Sequence, residues 1–240
     1  MIAAPDALDA LHVEARGEGV PLVLAHGFAG SARNWGPQVR AFRERACVVT
    51  YDLRGHARSS APHACPDAYT AEAFVADMAR VIDSIEPGGA PAVVGGLSLG
   101  AGVALGYARR FPERVRGLVL ASRPAGPGRA GAFSGSAQEM ARVLESQGSE
   151  AAGARFVWGP ESGLDPRGAA LVRQGFVEHD PLGLSQTLRG ALRELAAGVD
   201  APDLEERLRM PILLVAGERD EASLEAMHRM AARLPLSLIH

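Results

Sequence analysis

The feature that most constrains the fold of this chain is an alternation of short apolar runs with segments of helical periodicity. Apolar runs of strand length lie at 21–25, 46–51, 91–94 and 115–121, and segments with helical spacing separate them. Strands that are apolar on both faces and separated by helices are typical of a parallel sheet with right-handed crossovers. The sequence therefore predicts an α/β fold with a mostly parallel sheet and flanking helices.

The alternation stops near residue 123 and resumes near residue 211. Between these points the periodicity indicates only helices, at about 138–147, 150–158, 167–179 and 184–197. The elements that follow are a strand, a helix and a last strand, at 211–216, 222–234 and 236–240. We therefore predict a core formed by residues 1–123 and 201–240, with a helical cap at 124–200. The last strand would lie at the C-terminus, without a closing helix after it.

Charge and composition exclude several function classes. The 240-residue chain has a formal net charge of -3 and no basic block, which argues against a nucleic-acid partner. It contains no lysine, so a P-loop lysine, a Schiff-base lysine and a Ser–Lys dyad are excluded. Cys47 and Cys65 are too few for a structural zinc site, and we expect no disulfide between them.

No targeting or membrane segment is visible in the sequence. The N-terminus lacks the charged and apolar regions of a signal peptide, and no run of about 20 apolar residues occurs. We therefore expect a cytoplasmic protein without a membrane partner. The oligomeric state does not follow from the sequence.

The motif G-x-S-x-G lies between a predicted strand and a predicted helix, as Gly96-Leu97-Ser98-Leu99-Gly100. Such a turn raises a serine hydroxyl above the edge of the sheet, and its glycines let strand and helix approach each other. Two alternatives remain open. Gly100 to Gly106 also forms G-x-G-x-x-x-G, but the acidic residue of a dinucleotide site is absent near position 120. The segment could also be a tight turn without chemistry.

The residues His26-Gly27-Phe28 close an earlier strand, where a second oxyanion-binding N–H, here that of Phe28, is expected. The first such N–H would be that of Leu99, which follows the serine at a helix N-terminus. We interpret His26 as a side chain that fixes the loop rather than as a proton acceptor. The polar residues of 52–59 are expected to hold the next loop together.

An acidic residue is expected at the end of a later strand, at the same edge of the sheet. The segment 217–220 directly follows the apolar run 211–216, and its last residue, Asp220, is our candidate for the acid of a catalytic triad. Glu218 is the second choice, and a solvated loop carboxylate is the alternative to both.

The chain resembles the α/β-hydrolase fold family, in the cap-bearing branch of small esterases, enol-lactonases, peptidases of the proline iminopeptidase kind and lyases of the MenH type. The residues that carry this resemblance are His26-Gly27-Phe28, 51–56, 96–100, Phe111-Pro112-Glu113-Arg114-Val115 and 217–220. The resemblance implies Ser98 as the nucleophile, Asp220 as the acid, and Phe28 and Leu99 as the oxyanion donors. It implies no metal and no organic cofactor.

The sequence departs from this family at the catalytic base, a histidine that follows the last strand. His228 lies within a predicted helix about 12 Å beyond Asp220, and we expect it on the surface. His240 is a weak candidate for the base. We therefore expect a truncated chain that is nearly inactive and poorly soluble, because a serine hydroxyl without a base is a weak nucleophile.

The resulting hypothesis is a serine hydrolase of small carboxylic esters or lactones that works through an acyl-enzyme, impaired by loss of the triad histidine. The alternatives are a homologue that binds a small molecule without turnover, and a C–C lyase of the MenH type. The lyase is less favoured because Gly100-Ala101-Gly102 provides no arginine immediately after the serine turn. Five apolar residues of the cap could line its pocket, although packing between cap helices also explains them: Phe133, Phe156, Val157, Trp158 and Phe176.

Overall fold

The structure is a computed structural model that describes residues 10–63, 65–122, 127–196, 201–234 and 237–239. Seven strands of these residues are β1 (Val13–Arg16), β2 (Pro21–Ala25), β3 (Cys47–Tyr51), β4 (Ala92–Leu97), β5 (Val115–Ala121), β6 (Ile212–Val215) and β7 (Ser237–Ile239). They form one sheet in the order β1-β3-β2-β4-β5-β6-β7. Only β1 runs antiparallel to its neighbour, and the other pairs are parallel. The predicted α/β class with a mostly parallel sheet is confirmed.

The helices lie between the strands in sequence. They are α1 (Gly36–Phe42), α2 (Ala71–Ile85), α3 (Leu99–Arg110), α4 (Pro127–Phe156), α5 (Pro166–Phe176), α6 (Pro181–Arg189), α7 (Ala191–Ala196), α8 (Leu204–Arg207) and α9 (Glu221–Arg233). None of the helices in the described residues combines the length and the apolar character that a bilayer span requires. Among the described residues between β5 and β6, all regular structure is helical, as the sequence predicts.

Helix α4 is not continuous. Gly148 has φ 81° and ψ -178°, which are not helical, so the element consists of two helical arms joined at this residue. The break falls between the two helices that the sequence predicts at 138–147 and 150–158. The arm before Gly148 begins earlier than predicted, because the segment 127–137 is rich in Gly, Ala and Ser and shows no apolar period.

The central strand β4 and helix α3 are at the middle of the core. Val94 and Ala92 of β4 are fully buried, and most of α3 is buried as well, including Ala101, Val103 and Ala104. Burial of apolar surface at about 25 cal/mol per Å² provides most of the stabilisation of such a layer. The turn between these two elements is therefore held on both sides by buried structure.

Candidate active site

Ser98 lies at the turn between β4 and α3, and its backbone has φ 53° and ψ -110°. A positive φ is uncommon for a residue with a side chain, and it persists only where the surroundings impose it. The N–H of Ser98 donates to the carbonyl of Ala121 at 2.9 Å, and its own carbonyl accepts from the N–H of Gly102 at 3.1 Å. The residue is partly exposed, as a reacting hydroxyl must be.

The two glycines of the motif permit this turn. A Cβ atom built on Gly96 would overlap the backbone of Gly100, and one built on Gly100 would overlap the carbonyl groups of Ala25 and His26. The close approach of strand and helix that the sequence predicts is therefore present. It explains why the positions two before and two after Ser98 have no side chain.

The loop after β2 lies directly beside Ser98. A Cβ built on Gly27 would lie 3.6 Å from the Cβ of Ser98. Among the described residues, neither the N–H of Phe28 nor that of Leu99 has a hydrogen-bond acceptor. Two unpaired amides next to a hydroxyl are able to bind the oxygen of a tetrahedral intermediate.

His26 fixes the loop that contains Phe28. Its Nε2 accepts the N–H of Leu53 at 2.9 Å, so Nδ1 carries the proton and donates to the carbonyl of Gly27 at 2.8 Å. Because the C=O and N–H of one planar peptide group point in opposite directions, this bond also orients the N–H of Phe28. Burial lowers the pKa of His26 to about 4. The interpretation of His26 as a loop-fixing residue is confirmed.

The loop after β3 is held by the carboxylate of Asp52. It accepts the N–H of Ala32 at 2.7 Å and the Nε–H of Arg58 at 2.8 Å. Burial raises the pKa of Asp52, but the hydrogen bonds from Arg58 and Ala32 outweigh it and the pKa is lowered. The Oγ of Ser59 donates to the carbonyl of Asp52 at 2.5 Å. The polar residues of 52–59 hold this loop together, as predicted.

Three histidine rings form a cluster beside these loops. The ring of His56 lies 5.2 Å from that of His26 and 5.4 Å from that of His179, between centroids. Burial lowers the pKa of His56 well below its usual range, and it also lowers the pKa of His179. Among the described residues, no group of three or more His, Cys, Asp or Glu side chains is arranged to hold a metal ion. The cluster is thus a neutral, packed element of the site.

His179 is the residue of this cluster that the sequence analysis missed. It lies 150 residues after Ala29, whose carbonyl oxygen is 2.9 Å from its Nε2. No local pattern marks it, since its contacts arise only when the helical segment meets the core.

Asp220 follows β6 and is partly exposed. Its Oδ1 accepts the N–H of Ser223 at 3.2 Å, so it caps the N-terminus of α9. Within the described part of the chain, no hydrogen bond joins Asp220 or Glu218 to Ser98 or to a histidine. His228 is exposed on α9, as predicted, and His240 lies outside the described residues.

The aromatic residues of the helical segment pack against one another. Trp158 and Phe176 meet edge to face with ring centroids 5.5 Å apart, and Phe176 is only 3% exposed. Packing of Trp158, which follows α4, against Phe176 of α5 therefore accounts for these two residues, while the side chain of Phe133 lies outside those described.

Comparisons with known proteins agree with this architecture. The sequence profile of a family described as alpha/beta hydrolase fold matches residues 20–238. The chain is similar to the putative carbamate hydrolase RutD of Azorhizobium caulinodans, at 36% identity over 142 residues, which are 59% of this chain and 51% of that protein. The chain thus spans about half the length of the curated relatives that it matches.

Two solved structures are similar over nearly the whole chain. A thermophilic esterase from Thermogutta terrifontis has a TM-score of 0.79 and 27% identity, and the match covers 99% of this chain and 86% of that one. The enol-lactonase from Burkholderia xenovorans LB400 has a TM-score of 0.76 and 25% identity, with 95% of this chain and 86% of that one covered.

Proposed function

The chain belongs to the alpha/beta hydrolase fold family, and from this premise we propose that it hydrolyses small carboxylic esters or lactones through an acyl-enzyme on Ser98. One observation carries the proposal. Ser98 is held at a positive φ beside two N–H groups, of Phe28 and Leu99, that have no acceptor among the described residues. The names of the similar proteins, a carbamate hydrolase, an esterase and an enol-lactonase, support hydrolysis at an acyl carbon.

In the proposed reaction, the Oγ of Ser98 attacks the acyl carbon and its proton passes to a base. The carbonyl oxygen becomes an oxyanion that accepts hydrogen bonds from the N–H groups of Phe28 and Leu99. The C–O bond to the leaving alcohol then breaks, the alcohol takes the proton, and water releases the acyl group as the acid. Asp220 would orient the base through the carboxylate oxygen that does not cap α9.

We also propose that residues 124–200 form a cap over this site. Two observations support the assignment. All regular structure described in this segment is helical, and the segment is inserted between the neighbouring strands β5 and β6. Its residues 178–180 contact core loops on the side of the sheet where Ser98 lies. A cap of this kind would determine which acyl groups reach Ser98.

The nucleophile is tested with a fluorophosphonate probe and with p-nitrophenyl acetate. We expect the probe to label one residue per chain, Ser98, and Ser98→Ala to abolish labelling. Ser84→Ala is the matched control, because the Oγ of Ser84 only donates to the carbonyl of Val81 on α2. Labelling that persists in Ser98→Ala, or is absent from the unmodified protein, would refute the proposal.

A second candidate is a homologue that binds a small molecule without turnover, which is favoured because no hydrogen bond among the described residues joins Asp220 to a histidine. The two candidates differ in one measurement. A binding protein would show saturable binding of an ester with no covalent labelling of Ser98, whereas a hydrolase would be labelled.

A further inference from the structure

A short segment between α5 and α6 joins the helical region to the core. We call residues 178–180 the clamp segment, because its side chains reach the two core loops that follow β2 and β3. Glu178 forms an ion pair with Arg33, and Asp180 pairs with His63 at 2.8 Å. Both of these pairs are substantially exposed, and exposed ion pairs contribute little to stability. The middle residue of the segment is different.

His179 is buried between two core loops and bonds to both. Its Nδ1 accepts the N–H of Ala57 at 2.8 Å, and its Nε2 is 2.9 Å from the carbonyl oxygen of Ala29. Because a backbone N–H can only donate, Nδ1 is unprotonated and Nε2 carries the hydrogen that is donated to Ala29. The neutral imidazole thus satisfies both of its nitrogens, and the residue is 3% exposed.

The two backbone partners of His179 are in an unusual conformation. Ala29 has φ 54° and Ala57 has φ 44°, values that residues with a Cβ rarely adopt. Such conformations persist where the surrounding contacts fix them. The ring of His179 provides one such contact to each alanine.

The turn at residues 27–30, which we call the oxyanion turn, is therefore anchored at two carbonyl groups. The carbonyl of Gly27 accepts from the Nδ1–H of His26 at 2.8 Å and from the N–H of Gly30 at 3.0 Å. The carbonyl of Ala29 accepts from His179, which comes from the helical segment. The N–H of Phe28, the proposed oxyanion donor, lies between these two anchors.

We propose that His179 is a positioning residue for the oxyanion turn, so that seating of the helical segment sets the aim of the Phe28 N–H at the reacting oxygen. This inference rests on the proposed function of Ser98. The inference couples two events: contact between the cap and the core also completes the oxyanion site. A donor displaced by about 1 Å loses much of its effect on the transition state, since that effect depends on alignment.

Two substitutions separate the two hydrogen bonds of the ring. In His179→Gln, the amide nitrogen replaces Nε2 and keeps the donor to Ala29, but the bond from Ala57 is lost. In His179→Asn, the amide oxygen replaces Nδ1 and keeps the acceptor for Ala57, but the bond to Ala29 is lost. Each variant removes one hydrogen bond of the buried side chain at position 179 and keeps the other, so each serves as the control for the other.

The first readout is the second-order rate of Ser98 labelling by the fluorophosphonate probe. We expect His179→Asn to slow labelling about 10- to 100-fold, and His179→Gln to stay within about threefold of the unmodified protein. Glu178→Gln, which removes only the ion pair with Arg33, is expected to label at the normal rate. Equal losses in the Asn and Gln variants, or no loss in either, would overturn the inference.

The second readout does not need activity. Exchange of the Gly30 amide hydrogen reports the integrity of the oxyanion turn, because that N–H donates to the carbonyl of Gly27. Exchange should accelerate in His179→Asn and not in His179→Gln, which should instead expose the amide of Ala57. The amide of Leu53, bonded to His26, is the internal reference.

The two readouts separate the possible failures. If the unmodified protein is not labelled at Ser98 but Gly30 exchange follows the expected pattern, the proposed function fails and the positioning role of His179 stands as a structural one. If labelling occurs and Gly30 exchange is unchanged in His179→Asn, the inference about His179 fails and the proposed function remains.

Discussion

Ser98 shows how a backbone conformation is maintained at the scale of one residue. Its positive φ costs about 1–3 kcal/mol, a strain that only the packing around the turn can sustain. Gly96 and Gly100 permit that packing because each lies where a Cβ would overlap backbone. The strained conformation of Ser98 therefore depends on the two glycines, and a substitution at either glycine should change the backbone conformation of Ser98.

We predict that Gly100→Ala lowers the free energy of unfolding by more than about 2 kcal/mol, because backbone atoms of Ala25 and His26 cannot yield to the new methyl group. Gly135→Ala is the matched control, since this glycine is also helical and nothing lies within 4 Å of its Cβ position. There the change should be neutral or stabilising by up to about 1 kcal/mol. Urea unfolding measures both, and similar values for the two variants would contradict the prediction.

The candidate site could be predicted from the sequence only where its signal is local. The residues around Ser98 and the pair His26-Gly27 form short motifs whose geometry depends only on neighbouring residues. The structure has the tight turn at Ser98 and the loop held by His26 that these motifs predict. His179 has no such signal, because its partners Ala29 and Ala57 lie 150 and 122 residues away. The role of Asp220 as the acid of the triad stays a prediction from the resemblance, because a contact between distant segments is not encoded in a local motif.

At the scale of elements, the loop after β3 is tied to helix α2 by a buried ion pair. The Nε of Arg54 lies 2.6 Å from Oδ2 of Asp77, and the side chains are 8% and 0% exposed. A second bond of 2.6 Å joins Nη2 to Oδ1, which makes the pair bidentate. This pair fixes the start of the loop that also contains His56 and Ala57.

We predict that Asp77→Asn destabilises the fold by about 3–5 kcal/mol, because it removes the carboxylate charge that faces the buried guanidinium of Arg54 through two hydrogen bonds. Glu72→Gln is the control on the same helix. It breaks the exposed pair between Glu72 and Arg110 and should change stability by less than about 0.5 kcal/mol. Thermal and urea unfolding give both values, and an equal effect of the two substitutions would argue against a structural role of the buried pair.

Most strands were predictable from sequence because their apolar runs are short, uniform and bounded by turn residues. The strands at Pro21–Ala25 and Val115–Ala121 coincide with their predicted bounds. The order of the strands was not predictable in this way. Position in the sheet depends on crossover packing between distant segments, which the period of a single segment does not encode.

At the scale of the whole molecule, the histidine cluster joins the core to the helical segment in a neutral form. His26 and His56 belong to core loops, and His179 belongs to the clamp segment. All three pKa values are lowered by burial, that of His26 to about 4. In the unfolded chain a histidine titrates near 6.5, so the unfolded state binds more protons between these values.

We therefore predict that stability is greatest above about pH 6.5 and decreases as the pH falls toward 4, with His26 alone contributing a loss of about 2 kcal/mol at pH 5. Unfolding by urea at pH 7.5 and pH 5 measures this difference. His26→Gln should reduce the pH dependence, whereas His228→Gln, on the surface of α9, should leave it unchanged. The pKa of Asp52 is lowered, so its carboxyl titrates below this interval. Equal pH dependence in all three proteins would refute the assignment.

The break at Gly148 divides α4 into two arms that a change of backbone angles at this residue would reorient relative to each other. The arm formed by residues 127–147 is about 30 Å long, so a rotation of about 10° at its pivot would swing the far end through about 5 Å. Substituting the pivot residue, which sits at a φ of 81°, would thus redirect an entire arm, whereas substitutions along the arm would alter only their own surroundings. An engineer who wants to reorient this arm should begin at that single joint.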